Sequence, residues 1–202
     1  MALARTPKRD CTIPSGRCIS ARVAGARERI LNAAEARLLA GGPVSLVLDA
    51  VAADAGVSKG GLLYHFASKE ALVAGLCRRM LERFDADLDA LSGSDAAPAG
   101  AWTRAYLAST VTDDGKPADN SARLMAGILA TLGRDSAHLE EVRERFASWH
   151  ARLEADGIDE TTATVVGLAA DGLWLSALLG LPPLDVETAR EVIRALREMT
   201  RA

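Results

Sequence analysis

Apolar residues recur along nearly the whole chain at intervals of three and four, the period of a helix with one buried face. No segment alternates apolar and polar as a half-buried strand does. Leu139, Val142, Phe146, Trp149 and Leu153 step through the helical period without a gap. The same spacing puts Val23, Ile30, Ala34 and Leu38 on one face of a first helix over about 23–40, which Gly41-Gly42-Pro43 ends. Two short helical pieces follow, about 46–54 and 58–65, joined through Gly56. A long helix is predicted from Ser68, whose hydroxyl suits an N-cap, with Glu70 in the first turn where the helix dipole favours negative charge. It carries Val73, Leu76, Met80, Phe84 and Leu91 on one side and fades at Ser92-Gly93-Ser94. Further helices are expected over about 97–113, 119–133, 136–156, 159–181 and 185–200, the last capped by Asp185. Roughly nine helices and no sheet make the expected class an all-α bundle.

One stretch, residues 163–181, is apolar nearly all round and long enough to cross a membrane. Asp171 lies at its centre and glycines interrupt it, and a carboxylate at mid-membrane is costly. A helix buried on all sides inside a protein is the expectation. Composition agrees with a soluble globular chain: 49% apolar and 25% charged residues. The net charge of −3 hides an asymmetry, since residues 1–80 hold 12 Lys+Arg against 6 Asp+Glu and the remainder is acidic. A basic front would steer one end toward a polyanion. Cys11, Cys18 and Cys77 are too few and too scattered for a disulfide framework or a zinc site, so a reducing cytoplasm is the default. Residues 1–21 mix Pro, Gly, Ser and Arg and read as a disordered basic arm; Arg5, Lys8, Arg9, Arg17 and Arg22 could meet phosphates or simply be solvated.

The informative stretch is 46–66. Val51 and Ala52 sit where one short helix faces a core, Gly56 supplies the positive φ of a tight inter-helix turn, and Val57 and Leu62 face the second helix inward. The other side of that helix shows Ser58, Lys59, Gly60, Gly61, Tyr64 and His65. Two adjacent glycines inside a short helix cost on the order of 1 kcal/mol each relative to Ala. That cost suggests a backbone approached closely from outside, as in a DNA major groove.

The run AVAADAGVSKGGLLYHFASKEAL, residues 50–72, resembles the DNA-binding domain of the TetR (tetracycline-repressor-like) family of bacterial regulators. The resemblance covers about 23–75; beyond 90 it is one of all-helical architecture. It implies a helix-turn-helix domain over 22–67, with 46–54 positioning and 58–65 reading, and an effector-binding and dimerising domain over 68–202. Lys59 stands where a side chain reaches a base edge, Gly60 and Gly61 at the close-approach surface, Tyr64 and His65 at phosphate or a thymine methyl, and Lys69 at a phosphate; Ser58 opens the reading helix. Members often have Thr where Gly61 stands, Tyr where Leu63 stands, and Ser or Thr where Val47 and Leu48 stand; Ser45 is the nearby substitute hydroxyl.

The resemblance also implies partners: double-stranded operator DNA, a second copy of the chain, and a small-molecule effector. Trp102, Tyr106, Met125, Leu129, Phe146, Trp149 and Trp174 are candidates to line the effector pocket. Asp171 is either hydrogen-bonded structurally or a contact for a cationic group. The dimer interface is expected from the helices at 159–181 and 185–200, through Gly167, Leu168, Leu175, Leu178, Leu179, Ile193 and Leu196. No cofactor or metal is expected. An all-helical enzyme is the rival from another class, but His138 and His150 fit no metal or acid–base spacing and no phosphate loop or nucleophile elbow occurs. A repressor released by its effector is the expected function, with a ligand-independent regulator or an activator as the alternative.

Overall fold

The structure, a computed structural model, describes residues 25–133 and 136–201. The basic arm expected over 1–21 lies outside them. Nine α-helices follow in order among the described residues: α1 (Ala26–Gly41), α2 (Leu48–Asp54), α3 (Lys59–His65), α4 (Lys69–Ser94), α5 (Ala101–Thr110), α6 (Ser121–Leu132), α7 (Glu140–Glu154), α8 (Glu160–Leu178) and α9 (Val186–Met199). No strand is present among those residues, and the one β-bridge, Val111 to Pro117, closes the turn after α5. The chain is all-α, as its periodicity requires.

Side chains satisfy the helix starts where the sequence supplies them. Ser58 Oγ accepts from Gly61 N, Ser68 Oγ from Ala71 N, Asp159 from Thr162 N and Asp185 from Thr188 N. Such bonds favour the ionised carboxyl, and both Asp159 and Asp185 are held below the usual carboxylate range by the Thr N–H and hydroxyl that face them. Val47, at the start of α2, offers no capping side chain.

α1, α2 and α3 form a three-helix unit around Ile30, Leu31, Ala34, Val51, Ala52 and Leu62, all buried. α2 and α3 meet at a tight turn in which Gly56 adopts φ +63° and Val57 N donates to Ala52 O at 3.0 Å. α4, 26 residues and about 39 Å long, leaves this unit and runs the length of the molecule. Its first turns lie on α1, where Gly75 approaches Phe66 and Leu31 so closely that a Cβ would stand 2.7 Å from the phenyl ring. One turn on, the buried Arg79 reaches back to α1: it donates to Glu28 (2.8 Å) and Asn32 (2.7 Å) and pairs with Glu35. α5, α6 and α7 pack on the rest of α4, and α8 packs on α5, α6 and α7. α6 also touches α1, with Gly127 against Leu38 and the Arg123 guanidinium on Leu39 O at 2.8 Å. The buried apolar residues of both halves make one continuous core.

α8 departs from the expectation of burial on all sides. Ala163, Val166, Gly167 and Ala170 are buried, but Val165, Leu168, Leu175 and Leu179 stand in solvent at the three-and-four spacing of one face. This helix is long and apolar enough to cross a membrane by length and composition, and only 22% of its 18-residue window is buried within the chain. Three residues expected at a dimer interface are turned inward instead. A Cβ on Gly167 would stand 2.5 Å from Leu153, so this glycine exists for α7; Ile193 and Leu196 fill the core beneath α9. Each lies opposite the helix face that solvent sees, because one turned stripe of each helix already has a partner inside the subunit.

Candidate nucleic-acid interface and interior pocket

The outer face of α3 is bare and polar above a fully packed inner one. Leu62 is completely buried and anchors α3 on α1 and α2, whereas Tyr64 is 86% exposed and Lys59, Gly60 and His65 are exposed beside it. Tyr64 and His65 meet edge to face, ring centroids 5.3 Å apart. Nothing intramolecular calls for glycine at position 60: a Cβ there would find no atom nearer than the Ser58 hydroxyl at 4.0 Å. At Gly61 it would meet that hydroxyl at 3.3 Å, which is tight but not excluded. Space inside the chain thus gives a reason for glycine at 61, beside the cap, and none at 60.

The remaining candidates are distributed around this face. Ser58 spends its oxygen on the α3 cap, leaving the hydroxyl proton outward. Lys69 Nζ donates to Pro43 O at 3.1 Å, which ties the start of α4 to the loop before α2 and leaves two ammonium hydrogens unused. Ser45 does not stand in for a hydroxyl at the start of α2. Its Oγ lies 2.6 Å from Arg37 O and 2.7 Å from Gly42 O, so its single proton closes the end of α1. Lys59 Nζ faces both carboxylate oxygens of Asp49 on α2, at 3.0 and 3.1 Å, with both side chains largely in solvent. Sequence reasoning passed over Asp49, since only the fold brings α2 and α3 side by side.

The second candidate lies inside the helical bundle. Tyr106 and Ser109 of α5, Met125 of α6, Phe146 and Trp149 of α7 and Asp171 and Trp174 of α8 line a cavity of about 40 Å³. Met80, Leu81 and Phe84 of α4, with Thr110 and Ser121, complete the lining; the inward spacing of Met80 and Phe84 was legible, their place at the cavity was not. Trp102 and Leu129 fall outside this lining. Each lies one helical turn from a lining residue, and each is taken up by the core: the Trp102 ring is covered by the Arg152 guanidinium at 3.3 Å, and Leu129 packs on its neighbours. The aromatic walls meet edge to face, Phe84 to Trp149 at 4.7 Å and Phe84 to Tyr106 at 5.7 Å.

Polar groups in this cavity are mostly paired. Tyr106 Oη donates to Asp171 Oδ1 at 2.6 Å, His150 Nε2 lies 2.8 Å from Asp171 Oδ2, and Trp174 Nε1 donates to Ser121 Oγ at 2.9 Å. Burial, with the Asp171 charge and hydrogen bond added, pushes the Tyr106 phenol far above its ordinary range. Ser109 Oγ is buried without a hydrogen-bond partner. Asp171 thus has a structural role in this state: it locks α5, α7 and α8 together.

Comparison with known proteins follows these two sites. Residues 30–76 match the family described as bacterial regulatory proteins, tetR family, and residues 100–201 match the tetracyclin repressor-like C-terminal domain. A TetR-family member from Streptomyces coelicolor is 29% identical, with 85% of this chain and 98% of that one covered at a TM-score of 0.57. The multidrug binding protein EbrR complexed with ethidium is 31% identical, covering 86% and 98% of the two chains at 0.57. Its complex with malachite green gives 30% identity, 84% and 96% coverage, and 0.54. Among curated proteins no match was found. With the helix-turn-helix and the helical C-terminal region both matched, the chain belongs to the TetR family of bacterial transcriptional regulators.

Proposed function

We propose that this regulator is a repressor that grips operator DNA with α3 and the start of α4, and lets go when a small aromatic molecule enters the cavity between α4 and α8. The exposed α3 face carries the reading: Lys59, Tyr64 and His65 flank Gly60, which has no intramolecular need to be glycine. On this reading residues 22–67 hold the DNA and 68–202 hold effector and partner. Lys59 donates to a base edge, Tyr64 and His65 contact the strand, Ser58 adds a hydroxyl, and Lys69 takes a phosphate with its unused hydrogens. A second copy of the chain covers the exposed stripe of Leu168, Leu175 and Leu179, with Leu178 at its border, and sets two reading helices on two half-sites. Work on DNA places the protein in the cytoplasm.

The cavity supports the release step by being small. Drug-sized pockets run to about 300–1,000 Å³, far above the 40 Å³ found. A ligand must therefore part the helices, and Met80 and Phe84 of α4 stand in its way. Moving them moves α4, whose first turns are fixed to α1 through Arg79 and to the loop before α2 through Lys69. The relative EbrR is a binder of ethidium and malachite green, so a flat aromatic cation is the first ligand class to try. The same small cavity favours one other reading, a regulator that works without effector.

Fluorescence anisotropy with a labelled duplex from the region upstream of its own gene tests the proposal. Tight binding by the wild type and at least about tenfold weaker binding by Lys59→Ala or Tyr64→Ala is expected. Malachite green titrated calorimetrically into the DNA-free protein should bind, and should dissociate the duplex complex. Binding of DNA that no such ligand disturbs would select the effector-independent reading.

A further inference from the structure

Asp49 puts a negative charge on the face proposed to meet a polyanion, which a surface built for affinity alone would avoid. Its carboxylate on α2 takes the Lys59 ammonium on both oxygens, at 3.0 and 3.1 Å, and both side chains stay largely in solvent. The ammonium has three hydrogens, and its one hydrogen bond, to Oδ2, leaves it two. The carboxylate keeps lone pairs that only a donor can use. Toward a phosphate, which only accepts, the pair is neutral and half of it is repulsive. Toward a base edge it is a donor beside an acceptor. The neighbouring ion pair, Arg37 with Asp54 at 2.6 Å, also reaches the loop before α2, where Arg37 Nη1 donates to Ser45 O at 3.4 Å.

We infer that Asp49 is a specificity-determining residue: by holding Lys59 it removes that lysine from sequence-independent phosphate binding and commits the pair to a G·C base pair. Guanine O6 and N7 accept from the two remaining ammonium hydrogens, and the N4 amine of the paired cytosine donates to the carboxylate. Thymine in guanine's place offers the ammonium one acceptor, O4, and a methyl group where N7 would be. Sequence-independent affinity comes from phosphates neutralised and counterions released, so a lysine withheld from phosphate lowers background binding without weakening the chosen site. This inference rests on the reading of α3 as the DNA-facing helix.

The test uses the full-length protein and a randomised 30-base-pair duplex pool, with the sequence that the wild type enriches from it. In Asp49→Asn the freed Lys59 should tighten binding to the unselected pool on the order of tenfold per reading helix at 0.1 M salt, and steepen the slope of log K against log salt by about one. Affinity for the enriched sequence should rise less or fall, and one G·C position in each half-site should lose its preference. In Lys59→Met the same aspartate substitution should leave the salt slope unchanged. A wild type that binds no duplex overturns the DNA-facing reading and this inference with it. A wild type that binds, beside an Asp49→Asn variant with the same salt slope and the same base preferences, overturns this inference alone. Both residues are exposed, and coincident thermal melts will show that folding is not the variable.

Discussion

At the scale of single residues, stability and function pull apart on α3. Gly60 has open space around the Cβ it lacks, so Gly60→Ala meets no clash and gains helix propensity of up to about 1 kcal/mol. The thermal midpoint should rise by a few degrees while duplex affinity falls, because the added methyl stands where the DNA backbone or a base edge would approach. A variant that is both more stable and an unchanged binder would remove the glycine pair from the interface. Inside the bundle, Tyr106 offers a titration. The chain has two tyrosines, so in Tyr64→Phe the phenolate absorbance reports Tyr106 alone. Its raised folded pKa means that its contribution to stability is intact below the phenol's ordinary value of 10.0 and is lost as pH rises beyond that. No phenolate should appear until the protein unfolds in alkali. Early ionisation would mean that the cavity wall is open to water.

At the scale of elements, caps and glycine contacts decide how the helices sit. Ser68 caps α4 through Ala71 N, and Ser68→Ala should cost about 1 kcal/mol in chemical denaturation. The Ser68 hydroxyl also bonds Glu70, which its own backbone N–H and that hydroxyl hold below the usual carboxylate range. Gly127 tests a junction rather than a helix. A Cβ there falls 2.7 Å from Leu38 Cγ, so Gly127→Val must push α6 away from α1. Destabilisation of roughly 1–3 kcal/mol is expected from overpacking. If α6 is part of the route from cavity to reading head, operator affinity should change by more than global stability predicts. An unchanged affinity in the folded variant would take α6 out of that route.

At the scale of the whole molecule, the proposed dimer rests on α8. Val165, Leu168, Leu175 and Leu179 form an apolar stripe exposed at helical spacing along about four turns, which the proposed second copy would cover. Leu168→Glu together with Leu175→Glu places two charges on that face without touching the subunit's own core. Sedimentation should show wild-type dimers and monomers of the variant at micromolar concentration, and the monomer should bind a two-half-site duplex much more weakly. A wild-type monomer would leave the stripe without its proposed cover. Residues Ile193 and Leu196 make the converse control: their replacement should lower stability before it alters assembly, because they are buried beneath α9.

Local signals carried much of this protein. Helical period, the Gly56 turn, the Ser58, Ser68 and Asp185 positions and the block around 50–72 are all statements about neighbours in sequence, and backbone geometry obliges residues three or four apart to share a face whatever the fold. What lay on each face was therefore legible; what each face met was not. Only the tertiary structure gave Gly167 to Leu153 and Leu168 to solvent, though one follows the other on the same apolar helix. Only it sent Ser45 to the end of α1, closed the cavity with Met80 and Phe84 from a distant helix, and paired Tyr106 and His150 with Asp171. Asp49 shows the limit most plainly: ten residues from Lys59 in the chain, it pairs with that lysine because the glycine turn folds α2 back beside α3. Pairings across helices depend on how rigid elements dock, and docking is settled by the sum of many contacts that no short stretch of sequence contains.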